Sequence, residues 1–398
     1  MNNFHSPTRH LKYLRQSLSQ NNESIGFFIS AGCPLSVELP NKEDWPLIPD
    51  VKQLTIFINE QLVDNEKHTL LLSELAKTGK SPENIEDILS FLRSLILVSK
   101  GGSVRGLVES ELLQLEKDIC SEIVKKLDVE LPHDETPYHR LCNWIRSIDR
   151  KSSVELFTTN YDLLLEQALE SLEVPYFDGF VGSRRSFFDL RAVEDNLIPK
   201  HWSRLWKIHG SINWYQENIA GEKKVYRSSE IKHDASHLIY PSHLKYEESR
   251  KMPYLALIDQ LNRFIRKKSS LLVLCGYSFH DNHLNDAIIN ALKSNPTGMV
   301  LGLMYGTYED QSVERYEEAY KLAKKQHNLN VWTDDKAIIG TSLGRWNKIE
   351  DEDDIDLLTF IETSQENTEP SEKKHLVKLG DFSVFTNFLK KIIGPTSE

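Results

Sequence analysis

The run Ile25-Gly26-Phe27-Phe28-Ile29-Ser30-Ala31-Gly32-Cys33-Pro34-Leu35-Ser36 decides the fold. An apolar stretch without polar alternation stops at a cluster of small residues, which reads as a buried strand ending in a tight loop. A second unit of the same kind lies far downstream, where Leu271-Leu272-Val273-Leu274-Cys275 meets Gly276-Tyr277-Ser278. Val154–Thr158, Leu205–Ile208, Met299–Tyr305 and Asn330–Trp332 read as further strands. Tyr161–Leu172, the residues around Asn262, Asn285–Leu292 and Gln311–Lys325 read as helices between them. Apolar strands alternating with helices specify a parallel sheet covered on both faces. Right-handed crossovers then make this an α/β chain with a doubly wound, Rossmann-like sheet.

Outward from that frame the periodicity changes. Thr8–Ser19 reads as an amphipathic opening helix, and Tyr138–Arg146 as another. From Pro49 to Lys126 the apolar spacing is helical, broken at Gly101-Gly102 and Gly106, and implies an inserted helical subdomain. Residues 350–375 begin with a dense acidic block and run on through polar, proline-containing sequence, the composition of a linker. The segment DFSVFTNFLKKII is a short amphipathic helix with Asp381 or Ser383 as N-cap. Its apolar face (Phe385, Phe388, Leu389, Ile392) must pack on the parent domain or on a partner chain. The expected division is thus 1–48 for the first helix and strand, 49–130 for the insert and 131–348 for the rest of the sheet domain. An acidic linker (349–375) and a terminal helix available for assembly (376–398) follow.

Composition bounds the function. The 398 residues are 27% charged and 39% hydrophobic, the balance of an ordinary globular protein. A formal charge of −11 argues against a dedicated nucleic-acid binder, because phosphate backbones attract faces rich in Lys and Arg. The N-terminal stretch shows no apolar core of a secretory signal, and no run approaches the ~20 apolar residues of a membrane span. Cys33, Cys120, Cys142 and Cys275 are scattered with no CxxC pair, which excludes the common zinc spacings and makes a disulfide framework improbable. Reduced, buried thiols in a cytoplasmic protein are the expectation.

Four short segments carry chemistry. Ser30-Ala31-Gly32-Cys33 follows the first strand, where small residues allow backbone N–H groups to approach a dinucleotide phosphate and a following helix would add partial positive charge. A plain turn is the alternative. In Thr158-Thr159-Asn160-Tyr161-Asp162, Asn160 and Asp162 suit the cap and first turn of a helix. The same position, at the carboxyl end of a strand, also turns an amide and a carboxylate toward a cleft. In Lys207-Ile208-His209-Gly210-Ser211, a histidine beside a glycine at a strand end suits general acid/base work, although a lone histidine is more often structural. In Gly276-Tyr277-Ser278-Phe279-His280-Asp281-Asn282-His283, Gly276 and Ser278 offer close approach and a hydroxyl. His280, Asp281 and His283 fit the start of a helix better than a metal site.

In this order and context the segments resemble those of the sirtuin superfamily. SAGCPLS is similar to the family's phosphate loop, and Leu47-Ile48-Pro49-Asp50 to the Pro-containing segment that follows it. TTNYD resembles its Asn-x-Asp motif, KIHGS its His-Gly motif, and CGYS its late Gly-x-Ser loop. The resemblance spans roughly residues 20–345, interrupted by the insert. It implies that NAD is bound. Ser30, Ala31, Gly32, Gly276 and Ser278 would hold pyrophosphate and ribose, Asn160 and Asp162 would bind the nicotinamide ribose and position a water, and His209 would be the base. Residues Trp332–Asp335 would lie near adenine.

The chain departs from that pattern at two places. Ser30 stands where the family loop has its first glycine. Sirtuin deacylases carry a four-cysteine zinc ribbon after the His-Gly motif, whereas no cysteine occurs here between His209 and Cys275. With no ribbon and no recognisable acyl-lysine segment, deacylation is not expected, and no metal is. The chain most resembles zinc-less sirtuin-like NAD hydrolases of bacterial anti-phage defence, in particular the subunit paired with a HerA-type hexameric ATPase. That implies an oligomeric NAD+ glycohydrolase releasing nicotinamide and ADP-ribose. The alternative is a non-catalytic NAD or ADP-ribose sensor that controls a partner ATPase or nuclease. A sensor would keep the glycine loops without needing Asn160 and His209 together.

Overall fold

The computed structural model describes residues 3–41, 45–148, 150–219, 222–231, 237–239, 253–308, 316–347, 354–365 and 373–394. The chain forms a ten-stranded main sheet. Its strands are β1 (Phe4–His5), β2 (Ser24–Ile29), β3 (Glu155–Thr158), β4 (Tyr176–Phe177), β5 (Ser203–Lys207), β6 (Ser270–Cys275), β7 (Met299–Leu303), β8 (Leu329–Trp332), β9 (Lys336–Ile339) and β10 (Ser342–Trp346). Their spatial order is β1-β10-β9-β8-β7-β6-β2-β3-β5-β4. From β8 through to β4 every neighbouring pair is parallel, and the β9–β10 hairpin adds antiparallel strands at one side. After β2 the chain builds outward through β3 and β5, then returns to place β6 on the other flank of β2. The winding therefore reverses between β2 and β6, and the sheet is doubly wound as expected.

The apolar strands owe their burial to helices on both faces. These are α1 (Pro7–Ser19), α2 (Val51–Gln61), α3 (Glu66–Ala76), α4 (Ile85–Val98), α5 (Glu109–Leu127), α6 (Pro137–Ser147), α7 (Leu164–Ser171), α8 (Tyr254–Ile265), α9 (Asn282–Lys293), α10 (Glu317–Ala323) and α11 (Phe382–Ile393). Side chains alternate across each strand: Ile25, Phe27 and Ile29 enter one core with Leu11, Leu141 and Phe385, while Phe28 enters another with Leu257, Phe264 and Leu284. Helices α2–α5 make up the insert, and their apolar residues (Leu54, Ile58, Leu71, Leu92, Leu112, Ile119) join the first of these cores. The insert therefore packs as an extension of the sheet domain. Residues 311–315 of the helix expected over Gln311–Lys325 lie outside the described residues, and Glu317–Ala323 of the remainder forms α10.

Two regions take a form the sequence pattern did not indicate. Strands Phe180–Val181, Ser186–Phe188, Gly210–Ile219, Glu222–Arg227 and His237–Ile239 make a second, antiparallel sheet. Two of its strands precede His209 in the chain and three follow it. Within the segment expected to be a linker, Ile355–Leu358 forms one helical turn and Ile361–Gln365 pairs with Lys373–Val377. Leu357 and Phe360 are buried there, Phe360 against the Phe388 ring at 5.2 Å, and Arg15 pairs with Asp354 at 2.6 Å. A few apolar residues among many charges were enough to anchor it.

The terminal helix α11 starts at Asp381, whose Oδ1 accepts the Ser383 N–H at 2.8 Å. Its apolar face does not remain free for a partner. Phe385 meets Phe27 at 6.0 Å and Phe382 meets Tyr138 at 5.4 Å, while Arg140 of α6 donates to Ser383 Oγ at 2.9 Å and to Thr386 Oγ1 at 3.2 Å. Of the two destinations open in the sequence, the structure takes the parent domain. Among the described residues no helix is long and apolar enough to cross a membrane.

Candidate active site

Strands β6, β2, β3 and β5 are consecutive in the sheet and parallel, so their carboxyl ends lie side by side. The four motif segments are the loops at those four ends. The reversal of winding between β6 and β2 opens the position where doubly wound sheets hold their ligands. Residues separated by almost 250 positions are thereby gathered along one edge.

At the centre the β2 and β6 loops touch. Gly32 N donates to Gly276 O at 3.1 Å and Ser30 N to Cys275 O at 3.0 Å. A Cβ on Gly32 would stand 2.8 Å from Gly276 Cα, and one on Gly276 would stand 2.7 Å from Cys33 N at a φ of +65°. Both glycines are thus required by the contact between the loops themselves. Cys33 N also bonds inward, to Ser30 O at 2.9 Å. The amides of residues 30, 32 and 33 therefore hold the loop in shape, a different use from the phosphate cradle expected of them. Nor does a helix follow at once: Pro34–Ser36 is a single 3-10 turn, and the next helix, α2, begins at Val51. Ala31, Gly32 and Ser278 are half-buried and line the edge, whereas Ser30 is buried with its Oγ 2.8 Å from Thr159 Oγ1.

The β3 loop separates two residues that looked alike. Asn160 is half-buried, with its N–H held by Thr158 Oγ1 at 3.0 Å, and it caps no helix. Asp162 is buried, and its Oδ1 accepts the Leu164 N–H at 3.0 Å where α7 begins. Lys207 of β5, 1% exposed at its side chain, donates to the Asp162 carbonyl and lies 2.9 Å from Glu166 Oε1. Burial pushes the Asp162 carboxyl up from its ordinary range, and the Lys207 charge is the largest opposing influence. The Lys207–Glu166 pair, which sequence reasoning did not single out, ties α7 to β5, and the Lys207 bond to the Asp162 carbonyl ties the β3 loop to β5.

His209 follows β5 and is buried. Its Nε2 lies 3.3 Å from Asp281 Oδ2, with side chains 4% and 9% exposed, yet the geometry falls short of a hydrogen bond. Asp281 is also the N-cap of α9: its Oδ1 accepts the N–H groups of His283 at 3.0 Å and Leu284 at 3.2 Å. The sequence marked Asp281 only as a helix-starting residue. That reading holds for Oδ1, but the contact to His209 joins the loops that follow β5 and β6, two strands separated in the sheet by β2 and β3, and leaves no local signal. His280 is exposed, and among the described residues no group of three or more His, Cys, Asp or Glu could hold a metal ion.

Residues 154–328 match the family model of the SIR2-like domain. The match covers less than half of the chain and contains Asn160, Asp162, His209, Gly276 and Ser278, while the Ser30–Gly32 loop lies before it. The SIR2-like stretch thus runs from just before β3 to just before β8. A solved structure from work on the structural basis for the mechanism and regulation of Sir2 enzymes aligns over 77% of this chain and 89% of that one, at 9% identity and a TM-score of 0.36. At that score the alignment adds nothing to what the strand order shows. No curated protein matches the chain.

Two surroundings delimit the edge formed by the four loops. The carboxyl ends of β7 and β8, beyond which adenine was expected near Trp332–Asp335, are covered by the chain itself. Val377 N donates to Asp334 O at 2.7 Å, and Gly380 sits so close that a Cβ would stand 2.0 Å from Met304 O. A cavity of about 600 Å³ lies on the second sheet, lined in part by Gly182, Arg184, Arg185, Glu217, Arg227 and Ser228, and contains none of the motif residues. Two of its arginines are already paired, Arg185 with Glu217 and Arg227 with the buried Asp178.

Proposed function

We propose that the chain is an NAD+ glycohydrolase that releases nicotinamide and ADP-ribose. The observation that carries this reading is the gathering of the half-buried Asn160 amide and the buried His209 imidazole at the ends of neighbouring strands, beside the Gly32–Gly276 contact at the winding reversal. The SIR2-like match over residues 154–328 ties that arrangement to NAD chemistry.

In the proposed reaction the bond between ribose C1′ and nicotinamide N1 breaks, and its electron pair leaves with N1 as neutral nicotinamide. Positive charge develops on the ribose, and a water oxygen bonds to C1′. Asn160 orients that water by hydrogen bonding, and His209 takes its proton. Asp162 acts through the field of its carboxylate, since its Oδ1 is engaged at the start of α7. Ser278 and Ala31, at the loop edge, are placed to meet ribose and phosphate oxygens. Water is the acceptor in this reading because the segment after His209 builds an antiparallel sheet and holds no cysteine.

The resemblance in sequence extends the proposal to an NAD-depleting effector of anti-phage defence, a homo-oligomer controlled by a HerA-type hexameric ATPase. The insert supports a partner with exposed apolar side chains at Val63, Leu97 and Val98. The test is release of nicotinamide and ADP-ribose from NAD by the purified chain, alone and with the ATPase. Wild-type release should fall by about 10²-fold or more in Asn160→Ala and His209→Ala, each with an unchanged circular dichroism spectrum. Unchanged turnover in either folded variant removes that residue from the chemistry. NAD binding without release under any condition would favour the sensor.

A further inference from the structure

The pair formed by His209 and Asp281 has a chemical consequence within the proposed hydrolase. A neutral imidazole carries its proton on one nitrogen and its lone pair on the other, and the hydrogen bond made by one nitrogen decides which is which. Here Nε2 is buried without a hydrogen-bond partner, and Asp281 Oδ2 lies 3.3 Å away. A buried N–H left unpaired is costly, and catalytic hydrogen bonds are often long before substrate binds.

The acceptor is also held rigidly. Asp281 Oδ1 is committed to the first turn of α9, which turns Oδ2 toward the β5 end. Tyr277 donates to Asn285 Oδ1 at 2.9 Å, and Asn285 Nδ2 donates to Phe279 O at 2.7 Å, bracing the loop that carries Asp281. One carboxylate thus starts a helix with one oxygen and faces an imidazole with the other.

We propose that Asp281 is a positioning residue for His209: its Oδ2 accepts the Nε2 proton, so that the unprotonated Nδ1 is the nitrogen offered to the substrate. The step follows from chemistry alone. With the proton on Nε2, only Nδ1 has a lone pair with which to take a proton from water. The role of Nδ1 as base rests on the glycohydrolase reading, whereas the tautomer does not.

Asp281→Asn separates the two oxygens. Asparagine caps helices as well as aspartate does, so its Oδ1 keeps α9 started. Its NH₂ then stands where Oδ2 was and can only donate, which places the lone pair on Nε2 and the proton on Nδ1. Asp281→Ser, also a good cap, removes the facing group altogether.

The experiment is ¹⁵N NMR of ring-labelled histidine in the full chain, with His209→Ala used to assign the signal. It is run at mildly alkaline pH, where an ordinary imidazole is neutral, alongside kcat and KM for NAD. The proposal expects the Nε2–H tautomer in the wild type and Nδ1–H in Asp281→Asn. It also expects kcat about tenfold or more lower in Asp281→Asn with KM little changed, and an intermediate loss in Asp281→Ser. The same tautomer in wild type and Asp281→Asn, or Nδ1–H in the wild type, would overturn it. If the wild type releases no nicotinamide, the glycohydrolase reading fails on its own account, and the tautomers still decide whether Asp281 sets the ring.

Discussion

Lys207 shows how closely the candidate site depends on groups outside the chemistry. Its ammonium sits between Glu166 Oε1 and the Asp162 carbonyl, at a side chain 1% exposed. Lys207→Met would leave Glu166 buried without its counter-charge, at a cost of about 3–5 kcal/mol. Urea denaturation of the variant measures that loss, and a loss below about 1 kcal/mol would mean that water reaches the pair. Asp334 works in the opposite sense. Burial raises its carboxyl from 3.8 to about 7, so the folded chain keeps a proton that the unfolded chain has already lost. Its share of stability is intact below pH 3.8 and is lost as pH rises through about 7. Asp334→Asn should therefore match the wild type near pH 4 and exceed it by on the order of 2 kcal/mol at neutral pH, screening included. Parallel urea midpoints across that range test it.

Elements were legible where burial was two-sided. β2, β6 and β7 are largely apolar runs because both faces are covered, and helices α1, α6 and α11 appear as stripes with capping residues at Ser6, Thr136 and Asp381. The second sheet escaped notice because its strands mix polar and aromatic residues, and its pairing partners lie on either side of β5 in the chain. In the site, Asn160, His209 and the two glycines stood out as types at strand ends. Asp281 facing His209 and Lys207 bonding across to Asp162 could not be read, since both depend on how the strands are ordered in the sheet. For α11 the sequence left two destinations open, and Phe385, fully buried against Phe27, shows which was taken. Phe385→Ala should cost about 3–5 kcal/mol by leaving a cavity beneath the helix. A thermal midpoint within a degree or two of wild type would show that α11 contributes little to the core.

At the scale of the molecule, the open part of the sheet's carboxyl edge lies over β6, β2, β3 and β5, and the C-terminal segment covers β7 and β8. A nucleotide bound there touches loops from across the chain, so it should stabilise the whole domain. ADP-ribose at about 100 times its dissociation constant should add about 2.7 kcal/mol to the unfolding free energy. Calorimetry on Asn160→Ala, in which the proposed mechanism predicts slow turnover, would measure the same shift for NAD. If neither ligand moves the transition, the edge is not a nucleotide site.

Because Phe27 of β2 is closed over by Phe385 of α11, an early strand depends on a late helix. On the ribosome, residues 24–29 emerge beside α1, whose Leu11 shares their core, but the part of that face closed by Phe385 waits for the end of the chain. Contacts of such sequence separation form slowly. The nascent chain therefore carries a partly open apolar face until residues 382–393 arrive, which is where a holding chaperone would act.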